Sequence, residues 1–405
     1  MMMDHTVQVL NNVRLETGFE TENGIVTGTR TGLFSIEMEN GLFRSVKEQV
    51  PAKEGIDAKG LLMLPAFRDM HTHLDKSLYG LPWKAVSAGN RTVKDMIAME
   101  QQMIPGLLET SVQRSAQLIE LLQSHGISYA RSHFNIEPTS GLRSLENLLR
   151  VLEQKKDSFA AELVAFPQHG LFYTDTVPLM REAAALDTVQ YIGGLDPYSI
   201  DGSVEKPLDF TIQLALDHGK GIDIHLHETG ASGVQTIDYL IEKVLENPAL
   251  RGKTCISHAY VLAVLPVQEV ERLAERLAAA EISIATALPY GAATMPLPLL
   301  WQHGVSVLSG NDNIQDHWST LGSGSLLYKA NLAAGLYGRE TEWELSRLLK
   351  MATNGILPLD DEGRMQWPKA GAPARFVWTE ASCSAEAVAR MSPVRSLVHD
   401  GHLVF

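Results

Sequence analysis

Cysteine is nearly absent: Cys255 and Cys383 are the only two in 405 residues. Two thiols so far apart provide neither a disulfide framework nor a thiolate cage for structural zinc, and they point to a reducing, cytoplasmic setting. Positive charge is scarce as well. Against 48 Asp and Glu there are 34 Lys and Arg, a formal net charge of -14, and the basic residues form no cluster. Phosphate binding requires a basic face, so a nucleic-acid partner is not expected and a small neutral or cationic ligand fits better. Long hydrophobic runs are missing too. Apolar stretches are strand-length, and the N-terminal MMMDHTVQVLNNVRLE has neither a basic n-region nor a long apolar core, so no membrane span or secretion signal is expected. There is no low-complexity segment, short-period repeat or long linker. What remains, 45% hydrophobic and 20% charged, is the composition of a globular protein with room for one large domain and a smaller companion.

Residues 1–63 alternate short β-type runs (VQVLNNVRL, TGLFSIEM, GLFRSVKEQV) with turns, including a Glu-Asn-Gly signal at residues 39–41. The C-terminal stretch adds ARFVWTE and SLVHDGHLVF, the second with an Asp-Gly turn at Asp400 and Gly401. Each set is too small to bury a core alone. The two are therefore expected to pair into one small β-sandwich domain made of residues 1–63 and 366–405. Between them, over 64–365, strands and helices alternate, the signal for a parallel sheet with crossover helices. Eight strands are expected at 63–73, 127–134, 161–167, 190–195, 221–227, 253–258, 281–287 and 304–310, which fits an α/β fold of the (β/α)8 TIM-barrel type. Helices are clearest at 111–124 and 264–280, where apolar residues keep to one face. An open doubly wound sheet would carry a Gly-rich turn after its first strand, where this chain has HTHLDK.

Ligand-type residues recur at the ends of these strands, where a barrel enzyme collects its site. His71 and His73 are separated by one residue, so on a strand both imidazoles face the same way. With His225 and Asp312 they make a set of nitrogen and carboxylate ligands suited to one divalent metal, zinc or iron(II), with a position left for water. A second metal would normally need a bridging group, such as a carbamylated lysine at the end of the fourth strand. That strand ends in GGLDP, so a single ion is expected. His258 fits a hydrogen bond to the attacking water or the developing oxyanion, or a buried structural role. Glu228, three residues past His225, fits a proton shuttle or an exposed loop carboxylate. His227 should face the same side as His225, as a substrate contact or as a partner of a ligand. Lys76 is a surface lysine or a substrate contact at the barrel rim. No HExxH and no HxE with PCxxC occurs, and LGSGS at 321–325 lacks the GxSxG frame of a nucleophile elbow.

These motifs resemble the amidohydrolase superfamily, in the branch of cytosine deaminases and the related N-isopropylammelide aminohydrolase of triazine breakdown. The matching stretches are LPAFRDMHTHLDKS (64–77), RSHFNI (131–136), AFPQHG (165–170), DIHLHETG (223–230), ISHA (256–259) and SGNDNIQDHW (309–318), in the family's order across the whole barrel. The resemblance implies one metal on His71, His73, His225 and Asp312, and catalytic roles for Glu228, His258 and Asp312, the last taking a proton from water. It also implies that Gln168 reads the carbonyl or amide edge of the substrate. Cytosine deaminases typically show a glutamate where this chain has His169, an acidic pair where it has Asp312-Asn313, and HCDE where it has HLHE. The forms here are closer to the triazine-type enzyme, which implies substrate contacts by Lys76, His227, Asn313 and Trp318. The expected activity is hydrolytic removal of ammonia or an alkylamine from a cytosine-type or s-triazine-type heterocycle. Hydrolysis of a cyclic amide, or a non-catalytic ligand-binding relative, is the alternative. The expected partner is the small heterocycle, with no nucleic acid or membrane and, at most, further copies of the chain as a homo-oligomer.

Overall fold

The computed structural model describes residues 8–48, 54–85, 92–289 and 294–405. The first residues of the N-terminal reading, Val7 included, and the end of GLFRSVKEQV at Gln49 and Val50 lie outside the described residues. In the N-terminal part run β1 (Gln8–Glu22), β2 (Ile25–Glu39), β3 (Leu42–Glu48), β4 (Ile56–Asp57) and β5 (Leu62–Pro65). The barrel strands are β6 (Phe67–Thr72), β7 (Ile127–Asn135), β8 (Ala160–Phe166), β9 (Tyr191–Leu195), β10 (Gly221–Leu226), β11 (Thr254–His258), β12 (Ser283–Thr286) and β13 (Val307–Ser309). The chain ends with β14 (Phe376–Thr379), β15 (Val394–His399) and β16 (His402–Leu403).

One eight-stranded sheet runs β13-β12-β11-β10-β9-β8-β7-β6, every pair parallel, with helices in the connections. A parallel bridge between Thr72 and Asp312 brings its two edges together, so the sheet is a nearly closed TIM-type barrel. The second sheet joins both chain ends in the order β16-β15-β14-β5-β1-β2-β3, with β4 beside β1. Its tight turns use residues that tolerate positive φ: Asn40-Gly41 between β2 and β3 (φ 52 and 76) and Asp400-Gly401 between β15 and β16 (φ 46 and 79).

The expected single strand at 63–73 is two strands. Residues 62–65 pair with β1 and β14 in the second sheet, and only Phe67–Thr72 enters the barrel. The run reads as continuous because both faces of β5 are buried: Leu62 and Leu64 join the barrel's apolar core while Met63 joins the sheet's own. The expected division between residues 63 and 64 therefore runs through β5. The same alternation sends Val377 toward the barrel and Phe376 and Trp378 into the sheet core. The helix expected at 111–124 starts much earlier, at Val93. Thr92 and Asp95 form a reciprocal capping box there, and Pro105 is accommodated inside the helix, where sequence rules favour a break. The helix expected from 264 begins at Val267, because Pro266 occupies its N-cap. Among the described residues, no helix is long and apolar enough to cross a membrane.

Phe376 is fully buried, 6.0 Å from the Phe43 ring and 5.4 Å from that of Trp378. Phe376→Ala is expected to cost about 3–5 kcal/mol of stability through lost burial and a residual cavity, read from urea unfolding. A loss below about 1 kcal/mol would contradict this packing of the two chain ends.

Candidate active site

The site forms where β6 meets the chain leaving β13. Gly310 passes so close to β6 that a Cβ there would stand 2.3 Å from the His71 carbonyl oxygen. Asp312 N then donates to His71 O at 2.8 Å. Beneath this seam Asp69 accepts from Asn311 N (3.0 Å) and Asn311 Nδ2 (2.8 Å). Burial pushes the Asp69 carboxyl up to about 6, against the opposing pull of those hydrogen bonds.

The seam sets Asp312 Oδ1 3.4 Å from both His71 Nε2 and His73 Nε2, and His225 Nε2 lies 3.4 Å from His73 Nε2. Nitrogens bound at about 2.0–2.1 Å to one tetrahedral ion stand roughly 3.3 Å apart, so these spacings suit a single first-row divalent ion. The hydrogen bonds behind His71 fix its tautomer. Ser257 Oγ donates to Asp223 Oδ1 at 2.6 Å and lies 2.9 Å from His71 Nδ1. The hydroxyl's one proton goes to the carboxylate, so Nδ1 donates to Ser257 and Nε2 is the ring nitrogen turned toward Asp312 and the cluster. Burial holds His73 and His225 well below the usual imidazole range, hence neutral. Burial would raise Asp312, but His71 and His73 outweigh it and keep the carboxylate ionised. For His73, His225 and Asp312 these are the protonation states that a divalent cation requires. His258 reaches the same cluster: its ligand atom and those of His71 and His225 all lie within 4.8 Å of one another.

Around this core the structure gathers the other expected residues. Lys76 Nζ donates to Gln168 Oε1 at 2.7 Å and stands 5.5 Å from the Trp318 ring centre. Phe166 stacks on His225 at 4.1 Å and joins that group to the cluster. His227 stacks on His258 (4.5 Å, 26°), and its Nδ1 lies 2.8 Å from Asp196 Oδ2. Burial would lower His227, yet the Asp196 carboxylate raises it, while burial and then His227 itself lower His258. Asn313 Nδ2 donates to Asp312 Oδ1 at 3.2 Å. The Glu228 carboxylate is turned toward the short helix Pro197–Asp201: Oε1 accepts from Tyr198 N (3.1 Å) and Ser199 N (2.9 Å), and Oε2 is buried without a partner. Trp318 Nε1, Asn313 Oδ1 and His258 Nδ1 are also buried without protein partners, so the site offers both donors and acceptors to a polar ligand. Four non-glycine residues here hold positive φ: Asp196 (36°), His258 (72°), Ala259 (48°) and Asp312 (61°).

Sequence reasoning missed several supporting residues. Asp223 lies two before His225 as Asp69 lies two before His71, so DMHTH and DIHLH carry a readable period-2 signal. Burial would raise Asp223, but His133 and Arg131 outweigh it and hold it ionised. His133 Nε2 lies 3.4 Å from Asp223 Oδ1, but burial outweighs that carboxylate and pushes the imidazole down to about 4. Glu100 is buried between Asn135 Nδ2 (2.9 Å), His169 Nε2 (3.2 Å) and His317 Nε2 (3.1 Å). It ties together the neighbours of Gln168 and Trp318.

The protonation states have a measurable consequence at pH 6. Three ordinary imidazoles would be about three-quarters protonated each and would release roughly two protons on binding one ion. Zinc binding to metal-free protein at pH 6, followed by calorimetry in buffers of different ionisation enthalpy, is expected to release fewer than about one. Release of two or more would show that burial does not keep His73 and His225 neutral.

Residues 180–405 match the model of the amidohydrolase family. The chain is 49% identical over 401 residues to the uncharacterized protein YahJ of Escherichia coli (strain K12), covering 98% of this chain and 87% of that protein. It is 28% identical over 309 residues to N-isopropylammelide isopropyl amidohydrolase of Pseudomonas sp. (strain ADP), covering 75% of each. Among solved structures, N-isopropylammelide isopropylaminohydrolase from Burkholderia multivorans superposes with a TM-score of 0.85 at 27% identity, over 98% of both chains. A 5-methylcytosine deaminase from Klebsiella pneumoniae at 22% identity shares the fold, with a TM-score of 0.79 over 98% of this chain and 97% of that one. A histidine and aspartate cluster able to hold a metal, at the seam of a TIM-type barrel, accords with these matches, and the chain belongs to the amidohydrolase family.

Proposed function

We propose that the protein is a metal-dependent aminohydrolase that removes ammonia or an alkylamine from a planar, nitrogen-rich heterocycle of the cytosine or s-triazine type. The observation that carries this reading is that Asp312 Oδ1 lies 3.4 Å from His71 Nε2 and from His73 Nε2, and His225 Nε2 lies 3.4 Å from His73 Nε2, beside buried polar groups without partners. The relatives named for isopropylammelide and 5-methylcytosine support the substrate class. In this reading the barrel, from Phe67 to residue 365, is the catalytic unit, and the sheet built from both chain ends, β5 included, buttresses it.

One divalent ion, zinc or iron, held by His71, His73, His225 and Asp312 would supply the Lewis acidity that makes water nucleophilic near neutral pH. Lys76 and Gln168 hold one edge of the ring, His227 and Asn313 hold another, and Trp318 packs against it. Asp312 takes the proton of the attacking water as its oxygen bonds to the amino-bearing carbon. Glu228 delivers a proton from Oε2 to the adjacent ring nitrogen, while the Tyr198 and Ser199 amides keep Oε1 in place. The neutral imidazole of His258 donates to the oxygen on which charge develops. Asp312 then passes its proton to the departing amine as the carbon–nitrogen bond breaks, and the proton left on the new hydroxyl returns to Glu228 as the carbonyl forms.

The test is an ammonia- and amine-release screen over aminopyrimidines and amino-s-triazines with metal-loaded protein. No release from either class would remove the reading. On an accepted substrate, Glu228→Gln is expected to retain metal and fold but lose roughly 10²- to 10⁴-fold in turnover, the range for one acid–base group. Near-normal turnover would take the proton shuttle away from Glu228.

A further inference from the structure

A cavity of about 420 Å3 lies against Asp312 and Asn313 and extends past Tyr260 and Leu288 to Lys329, on the helix Leu326–Tyr337. It adjoins the proposed reacting centre, because the Tyr260 ring stands 5.3 Å from that of His258 and 5.6 Å from that of His227. Lys329 is the only cation among the described residues that line it. Its Nζ donates to Ala287 O at 2.6 Å, and no described carboxylate lies within ion-pairing distance. An ammonium group has three N–H donors, so two remain for a ligand. Lys76, bonded to Gln168 and lying over Trp318, does not line this cavity. The net acidity of the chain favours neutral or cationic ligands overall, but Lys329 sets a positive charge in this wall, with Asp312 and Asp69 acting on it only from beyond ion-pairing distance and Asp312 assigned to the proposed ion.

We propose that this cavity is a subsite for a carboxylate borne by the heterocyclic substrate, with Lys329 Nζ as its counter-ion. The proposal rests on the reading that Asp312 belongs to the reacting centre. A carboxylate supplies two acceptor oxygens to the two remaining N–H groups and neutralises a partly buried cation that a neutral substituent would leave desolvated. A hydrogen bond to a charged group is worth about 1.5–3 kcal/mol, so carboxylated rings should bind roughly ten- to hundred-fold more tightly than their unsubstituted parents.

Orotate and uracil, which lack an exocyclic amine and cannot be deaminated, form the test pair. Calorimetry on metal-loaded protein should show orotate binding at least about ten-fold more tightly than uracil. Lys329→Met and Lys329→Gln should each erase that difference, and Lys329→Arg should keep part of it. Equal affinity in the unaltered protein, no orotate binding, or a preference that survives in both neutral variants would overturn the proposal. Ammonia release from aminopyrimidines judges the reaction separately. If none occurs while the Lys329-dependent orotate preference stands, the deaminase reading fails and the subsite remains.

Discussion

The closure of the barrel between its first and last strands is the constraint on which the rest of the site depends. Side-chain volume would hold these two edges apart, and Gly310 removes it where the chain crosses His71. The Asp69–Asn311 hydrogen bonds and the bridge from Thr72 to Asp312 then fix the register. A slip of one residue would turn Asp312 away from His71 and His73, since strand side chains alternate faces. The positive φ at Asp312 belongs to the same device. A non-glycine residue in that region costs of order 1–3 kcal/mol, and the seam holds it there against that cost.

Behind the ligands lies a buried layer of opposite charges that orients them. Asp223 accepts from Ser257 and from Arg131 Nη1 (3.2 Å), so its charge is matched while Ser257 sets the His71 tautomer. Asp196 does the equivalent for His227 from the end of β9. Glu100 works at longer range. It joins the helix Val93–Ser124 to Asn135, His169 and His317, and so fixes the loops that carry Gln168 and Trp318 against Lys76. Removing one partner from such a buried network leaves a charge uncompensated, which is why these residues act as positioning groups although they do not face the cluster.

Much of this was legible in the sequence because strand periodicity is short. The spacing of His71 and His73 gives their common face directly, and the alternation of strands and helices gives the barrel. Gln168 and Trp318 came from resemblance of motifs, Lys76 also from its place at the barrel rim, and the structure brings Lys76 against both. The misread parts have local causes. The run at 62–72 hides a change of sheet because both faces of β5 are buried, so no alternation marks where one sheet ends. Glu100 was invisible because Pro105 argues for a helix start after it, which left residues 93–110 without an assigned face. Lys329 could not be found at all from its surroundings in sequence. Its significance comes from Ala287 and Asp312, which belong to different strand ends.

The proposed reaction depends on His71, His73, His225 and Asp312 closing on a single ion. Crystals of protein reconstituted with zinc, measured with anomalous scattering on both sides of the metal edge, locate the ion without reference to activity. The expected result is one anomalous peak about 2.0–2.2 Å from the Nε2 atoms of the three histidines and from an Asp312 carboxylate oxygen. A peak held by His133 and Asp223 instead, or two peaks of comparable height, would contradict the claim.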